Sequence, residues 1–339
     1  MKKSHFLKRF QSTTNITIFL TIVVTLSATA YSGAYILVNT IVTAGMLAMV
    51  AMGLALVFGV MNIPMFAHGE YFMIGSLTAY FVIAPINEFI LTHADSQLAL
   101  WGPLIAMAAA ALMGAVIGLL SEKLIFSELR KRNRDNWVMN SFLLTVGISV
   151  VLINAHQLFF NPNFKGVTNY WGGPPLELFG AFISMDRVLA FSLSIVMVIS
   201  FWLFMGFTRT GRAIRAVSQD EVGASMVGIN LNVIFLLTMA LSCSLASLAG
   251  ASLLFMYPSF PSVGLEPLYM AWFVVILAGL GNVLGAVVGA FIVALLKSLT
   301  VEYIGSGWEF VIPSALIIVI LIFKPSGLFS SGVRSVLDS

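Results

Sequence analysis

Two groups of residues in this 339-residue chain could do chemistry. The first is Asn62, His68 and Glu70, placed around Pro64 and Gly69 in the run Gly-Leu-Ala-Leu-Val-Phe-Gly-Val-Met-Asn-Ile-Pro-Met-Phe-Ala-His-Gly-Glu that spans 53–70. Pro64 lacks a backbone donor and, with Gly69, breaks a helix inside apolar sequence. Ionisable groups at membrane depth cost about 2.5–3.5 kcal/mol each on insertion scales. They therefore line a pathway, or pair with each other, or sit at the membrane surface and only shape the turn. The second group lies in residues 208–230, the longest polar and charged run between apolar stretches. There Arg212, Arg215 and Gln219 fall at helical spacing on one face, with Arg209 before them and Asp220 and Glu221 just after. Gly223, Ala224 and Gly228 follow as small positions where backbones can approach closely, and Asn230 ends the run. A basic face beside small residues suits a short helix lying along the membrane and offered to a groove on a soluble partner. The alternative is that the arginines anchor the loop beside anionic lipid.

The elements that position these groups follow from composition. Hydrophobic residues make up 59% of the chain and charged residues 9%, too little charge to cover a soluble surface. Apolar runs of roughly 17 to 25 residues recur throughout. The fold class is all-α and polytopic, with 8–10 transmembrane helices. Spans are expected near 16–32, 34–61, 66–86, 101–125, 137–160, 187–207, 232–257, 268–282, 284–300 and 309–323, with 268–300 open to being one tilted helix. The basic start, Lys2, Lys3, Lys8 and Arg9, followed by an apolar stretch from Ile16 to Tyr31, could pass for a signal peptide. A further apolar segment follows almost at once, which favours a retained first span. With the N-terminus cytoplasmic, 14 of the 17 Lys and Arg residues fall on the inside, including all those of 208–230. The chain then divides into a cytoplasmic tail, 1–15, one membrane domain, 16–325, and a second cytoplasmic tail, 326–339. Both termini are cytoplasmic, and 208–230 is a cytoplasmic loop.

A second break, Phe255-Met-Tyr-Pro-Ser-Phe-Pro-Ser-Val-Gly-Leu-Glu-Pro through 267, faces the side opposite the first. Two halves of four spans separated by a spacer span would be inverted repeats with broken helices. Gly281, Gly285 and Gly289 recur every four residues and read as a small-xxx-small face of packed helices, not as a nucleotide loop. The basic cluster Arg130–Arg134 is explained by a short cytoplasmic turn, and no nucleic-acid partner is expected. The one cysteine, Cys243, excludes a disulfide framework, and His93 and His156 lack metal-ligand spacing. No catalytic residue, metal or cofactor is expected. The chain has no Gly-x4-Gly-Lys-Ser/Thr motif, so energy for active work must come from partners or an ion gradient.

Four motifs in fixed order carry a resemblance. They are the Gly-Leu-x-Leu-Val-Phe-Gly-Val-Met run ending in Phe-Ala-His-Gly-Glu, the loop Thr-Arg-x-Gly-Arg-Ala-x-Arg-Ala-Val-x-Gln-Asp, the Gly-Leu-Gly-Asn-x-x-Gly-Ala run, and Lys-Pro-Ser-Gly-Leu-Phe at 324–329. Over about residues 34–330 the chain resembles the branched-chain amino-acid family of bacterial ABC importer permeases, which includes urea and short-chain amide permeases. The resemblance implies a transmembrane permease subunit in the inner membrane. Its partners would be two cytoplasmic ATPase subunits, a second homologous permease or a second copy of itself, and an extracytoplasmic solute-binding protein. It makes 208–230 the segment that couples to the ATPases. One departure stands out. Family loops often read Glu-Ala-Ala where this chain has Val222-Gly223-Ala224, leaving open whether Glu221 takes over the acidic contact. Branched-chain amino acids are the expected cargo and urea or short amides the alternative. An ion-coupled carrier or a channel is the alternative of another class, and it would require paired acidic residues deep in the spans or a filter-like repeat.

Overall fold

The computed structural model describes residues 17–31, 33–92, 98–132, 137–167, 175–178 and 181–329. The helices are α1 (Thr17–Tyr31), α2 (Ala34–Met61), α3 (His68–Thr92), α4 (Leu98–Ser121), α5 (Ser127–Arg132), α6 (Trp137–Phe160) and α7 (Met185–Phe207). They continue with α8 (Arg209–Gln219), α9 (Glu221–Met226), α10 (Leu231–Leu253), α11 (Leu265–Ala278), α12 (Val283–Tyr303) and α13 (Val311–Phe323). A short hairpin, β1 (Leu176–Leu178) with β2 (Ala181–Ile183), pairs antiparallel with Leu176 opposite Ile183. Among the described residues, eight helical stretches are long and apolar enough to cross a membrane, while α1 and α11 are shorter. The expected spans 34–61 and 137–160 coincide with α2 and α6. Residues 268–300 form two helices, because Gly279 and Gly281 take positive φ, +102° and +80°, which ends α11 before Asn282 caps α12.

α2 and α10 form the centre of the bundle. Of the apolar stretch of each, 72% is buried, against 11% for α6, so α6 lies at the periphery. α2 packs most extensively on α12 and also on α11, while α10 packs most extensively on α4 and α3. Gly114 of α4 lies against Ser247 of α10, and Gly118 against Met239 and Cys243, so those two helices run antiparallel. The stretch α2–α4 therefore packs chiefly on the stretch α10–α12, with α2 and α10 also in contact with each other. Their two breaks meet at Gly69 and Gly264. A Cβ on Gly264 would lie 1.8 Å from the Gly69 carbonyl oxygen, and one on Gly69 would lie 2.5 Å from that of Gly264. Only glycine allows the beginnings of α3 and α11 to touch there.

The Gly281, Gly285 and Gly289 stripe is not a single helix face. Gly281 precedes α12 and lies against Gly59 of α2. Gly285 makes room for Asn282, whose Nδ2 donates to the Phe329 carbonyl at 2.7 Å. Gly289 alone packs between helices, against Val274 of α11. The positive φ before the helix breaks the period of four that the sequence suggested. Arg130 is likewise not a free basic residue. Its Nη2 donates to buried Glu122 at 2.8 Å, and its guanidinium lies 4.1 Å from the Phe235 ring centroid and 5.0 Å from that of Trp137. It ties the end of α4 to α10 and α6.

Candidate functional site

Two places in the fold combine polar chemistry with a defined geometry. The first is the α8–α9 surface. α7 ends at Phe207, and Thr208 caps α8: its hydroxyl donates to Phe204 O at 2.7 Å and accepts the Gly211 N–H at 2.9 Å. Gly211, Ile214 and Val217 are the buried residues of α8, three apart on one face, and they seat it against α7, α2 and α10. The opposite face leaves Arg209, Arg212, Arg215 and Gln219 exposed. Arg215 also donates to Gly206 O at 3.3 Å, and none of these arginines forms an ion pair among the described residues. They form an exposed cationic face on α8.

Asp220 ends α8 and caps α9, accepting the Gly223 N–H at 2.9 Å, so α9 turns away immediately. Glu221 is exposed at its start. Gly228, at φ +87°, closes α9, with the Ile229 amide donating to Ala224 O at 3.1 Å. Asn230 then caps α10 through the Val233 N–H at 3.3 Å. Within the chain, neither Gly223 nor Gly228 lies against another helix's backbone. A Cβ on Gly228 would meet nothing within 4 Å, and the nearest atoms to one on Gly223 would be those of the Asp220 carboxylate. These residues shape bends. Sequence reasoning also missed the apolar part of the surface: Val222, Met226 and Val227 are 63%, 81% and 77% exposed. The available signal was apolar residues inside the most polar loop of the chain.

The second place is the break between α2 and α3. Asn62 ends α2 in the left-handed region, φ 56°, and is exposed. His68 is fully buried, and its Nε2–H donates to Val50 O at 3.1 Å. Glu70 is 2% exposed, and its Oε1 accepts from the Ser149 hydroxyl at 2.7 Å. The three residues therefore do not cluster, and His68 and Glu70 do not pair. Two positions apart on a helix, their side chains point to opposite sides. What closes the break is α6. Trp137 Nε1 donates to Met61 O at 3.1 Å, and the Thr145 hydroxyl accepts the Phe66 N–H at 3.3 Å. The Thr145 proton is shared between the carbonyls of Pro64 and Phe142, at 3.1 and 2.8 Å. Phe66 itself sits between Phe142, with centroids 5.2 Å apart, and Trp272 of α11, at 5.3 Å.

Residues 36–321 match the family described as "Branched-chain amino acid transport system / permease component". The chain is 27% identical over 297 residues to the high-affinity branched-chain amino acid transport system permease protein BraD of Pseudomonas aeruginosa, covering 86% of this chain and 94% of that protein. It is 26% identical over 291 residues to the LivH permease protein of the Escherichia coli K12 high-affinity branched-chain amino acid transport system, covering 83% and 90%. It is 27% identical over 283 residues to a probable branched-chain amino acid transport permease protein LivH of Methanocaldococcus jannaschii, covering 80% and 82%. No solved structure matches the chain significantly.

Proposed function

Because this chain belongs to the permease-component family of branched-chain amino acid transport systems, we propose that it is the membrane subunit through which an ATP-driven importer admits branched-chain amino acids. Of two cytoplasmic ATPase subunits, one docks on α8–α9 and the other on the matching surface of a second permease or a second copy of this chain, which completes the membrane core, and an extracytoplasmic binding protein delivers the cargo. The chain sits in the bacterial inner membrane with residues 1–15 and 326–339 as cytoplasmic tails on one membrane domain. The inside excess of Lys and Arg supports this orientation.

The observation that carries the reading is the seating of α8. Its buried face, with Ile214 and Val217, seats it against the bundle that includes the two central helices, α2 and α10, while it presents cations outward and leads into α9, where Val222 and Met226 are exposed. A push on α8–α9 is delivered to the helices that end in the breaks. ATP binding closes the two ATPases, draws the α8–α9 surfaces of the two permeases together, and shifts the stretches α2–α4 and α10–α12 between outward-open and inward-open packings. Selectivity rests largely with the binding protein, so the permease holds its cargo weakly and releases it quickly.

The test is uptake of labelled leucine and labelled urea in cells with and without the gene, with ATP depletion as control. Loss of ATP-dependent leucine uptake alone is expected. Loss of urea uptake with leucine unchanged would move the chain to the amide branch, and uptake that survives ATP depletion but collapses with an uncoupler would make it an ion-coupled carrier.

A further inference from the structure

We propose that Glu70 receives the ammonium group of the cargo in a polar seam between α3 and α6. The inference rests on the cargo being an α-amino acid, as proposed above. Glu70 is 2% exposed, and only one of its carboxylate oxygens is engaged: Ser149 donates to Oε1, while Oε2 has no hydrogen-bond partner. No cation reaches it among the described residues. His68, two positions earlier, points to Val50 O, Arg130 is held by Glu122, and Lys297 is held by Glu266 and Glu309. A buried carboxylate with one free oxygen and no counter-ion is an acceptor for a cation that arrives from elsewhere.

The surroundings fit a passing zwitterion. α6 reverses the usual pattern of a packed helix: its buried residues are Ser141, Thr145 and His156, whereas Leu143, Val146, Val150, Val151 and Leu158 are exposed. Ser141, Thr145 and Ser149 are four apart, and His156 falls seven further on, so these groups form one inward stripe along the helix. His156 is 3% exposed with neither ring nitrogen hydrogen-bonded, about 10 Å along α6 from Ser149 at 1.5 Å per residue. Ser141 and Thr145 spend their hydroxyls on the carbonyls of Val138, Pro64 and Phe142, so the groups on this face left for a cargo are Glu70 and His156, and ionisable groups facing the inside of a membrane bundle mark pathways. Ser149 occupies one Glu70 oxygen and leaves the other buried without a partner, so the ammonium reaches it only when α3 and α6 part during transport. The ammonium gains a single charge-assisted contact there, which suits brief residence.

The test uses the assembled importer in proteoliposomes with leucine-loaded binding protein, for wild type, Glu70→Gln and Glu70→Asp. Leucine transported, ATP hydrolysed and the yield of assembled complex are measured together. Wild-type leucine transport is scored first, and its absence would sink the amino-acid reading and this proposal with it. Given that transport, E70Q is expected to lower leucine moved per ATP by about tenfold or more with hydrolysis and yield nearly unchanged, while E70D recovers part of the loss. Wild-type coupling in E70Q would overturn the proposal. So would losses of yield that match the losses of transport in both variants, because Glu70 would then be a structural acid.

Discussion

Replacing Met226 and Val227 together by alanine should weaken docking of the ATPase subunits without disturbing the permease. Both side chains are largely exposed, at 81% and 77%, so nothing inside the chain depends on them and the fold should change by about 0.5 kcal/mol or less. Burying a Met or Val side chain fully stabilises by about 1.5–3 kcal/mol. Burial in an interface is partial, so about 1–2 kcal/mol each is the expectation. At 1.4 kcal/mol per tenfold, the pair corresponds to a Kd roughly 30- to 1,000-fold weaker. Wild-type and variant complexes in nanodiscs would be titrated with ATPase subunit by interferometry, with melting temperature followed in parallel. A Kd within about threefold of wild type, at unchanged melting temperature, would refute the assignment of α9 as a docking surface.

The double reversal Arg212→Glu with Arg215→Glu should abolish ATPase copurification while membrane insertion stays intact, and wild-type docking itself should weaken as salt rises, because both guanidinium groups are exposed. Normal copurification of the variant would count against the cationic face. Arg130→Ala should destabilise the complex by about 3–5 kcal/mol in detergent melting, since it strands the buried Glu122 carboxylate 2.8 Å away; adding Glu122→Gln should restore part of that, and a further loss in the double variant would contradict the pairing. Gly264→Ala should cost about 3 kcal/mol or more, the upper end for overpacking, because its methyl would lie 1.8 Å from the Gly69 carbonyl oxygen and only backbone can move to relieve it. An unaltered melting temperature for that variant would mean the two breaks do not meet there.

Much of the architecture was legible in sequence. The apolar runs 34–61 and 137–160 became α2 and α6 with the same bounds, since runs that long in lipid have no way to satisfy their backbone except as helices. Pro64 and the Gly69 beyond it marked the first break for the same reason. What the sequence could not show was which neighbour each polar group would choose. His68 and Glu70 lie two positions apart in sequence, yet helical geometry sends one to α2 and the other to Ser149, 79 positions from Glu70. The inward stripe of α6 was hidden because Ser141, Thr145 and His156 are scattered thinly through an apolar run. The α8–α9 surface was found by its charge, but its apolar half was not, because only the bend at Asp220 decides that Val222 and Met226 face away from the bundle.

The most direct test of the account is leucine accumulation in proteoliposomes that contain this chain with its partner permease and ATPase subunits, supplied with binding protein outside. Leucine should accumulate above the external concentration only when ATP is inside with the ATPases, and not at all when the chain carries Arg212→Glu with Arg215→Glu. Accumulation driven by a proton or sodium gradient without ATP, or equal accumulation by that variant, would contradict it.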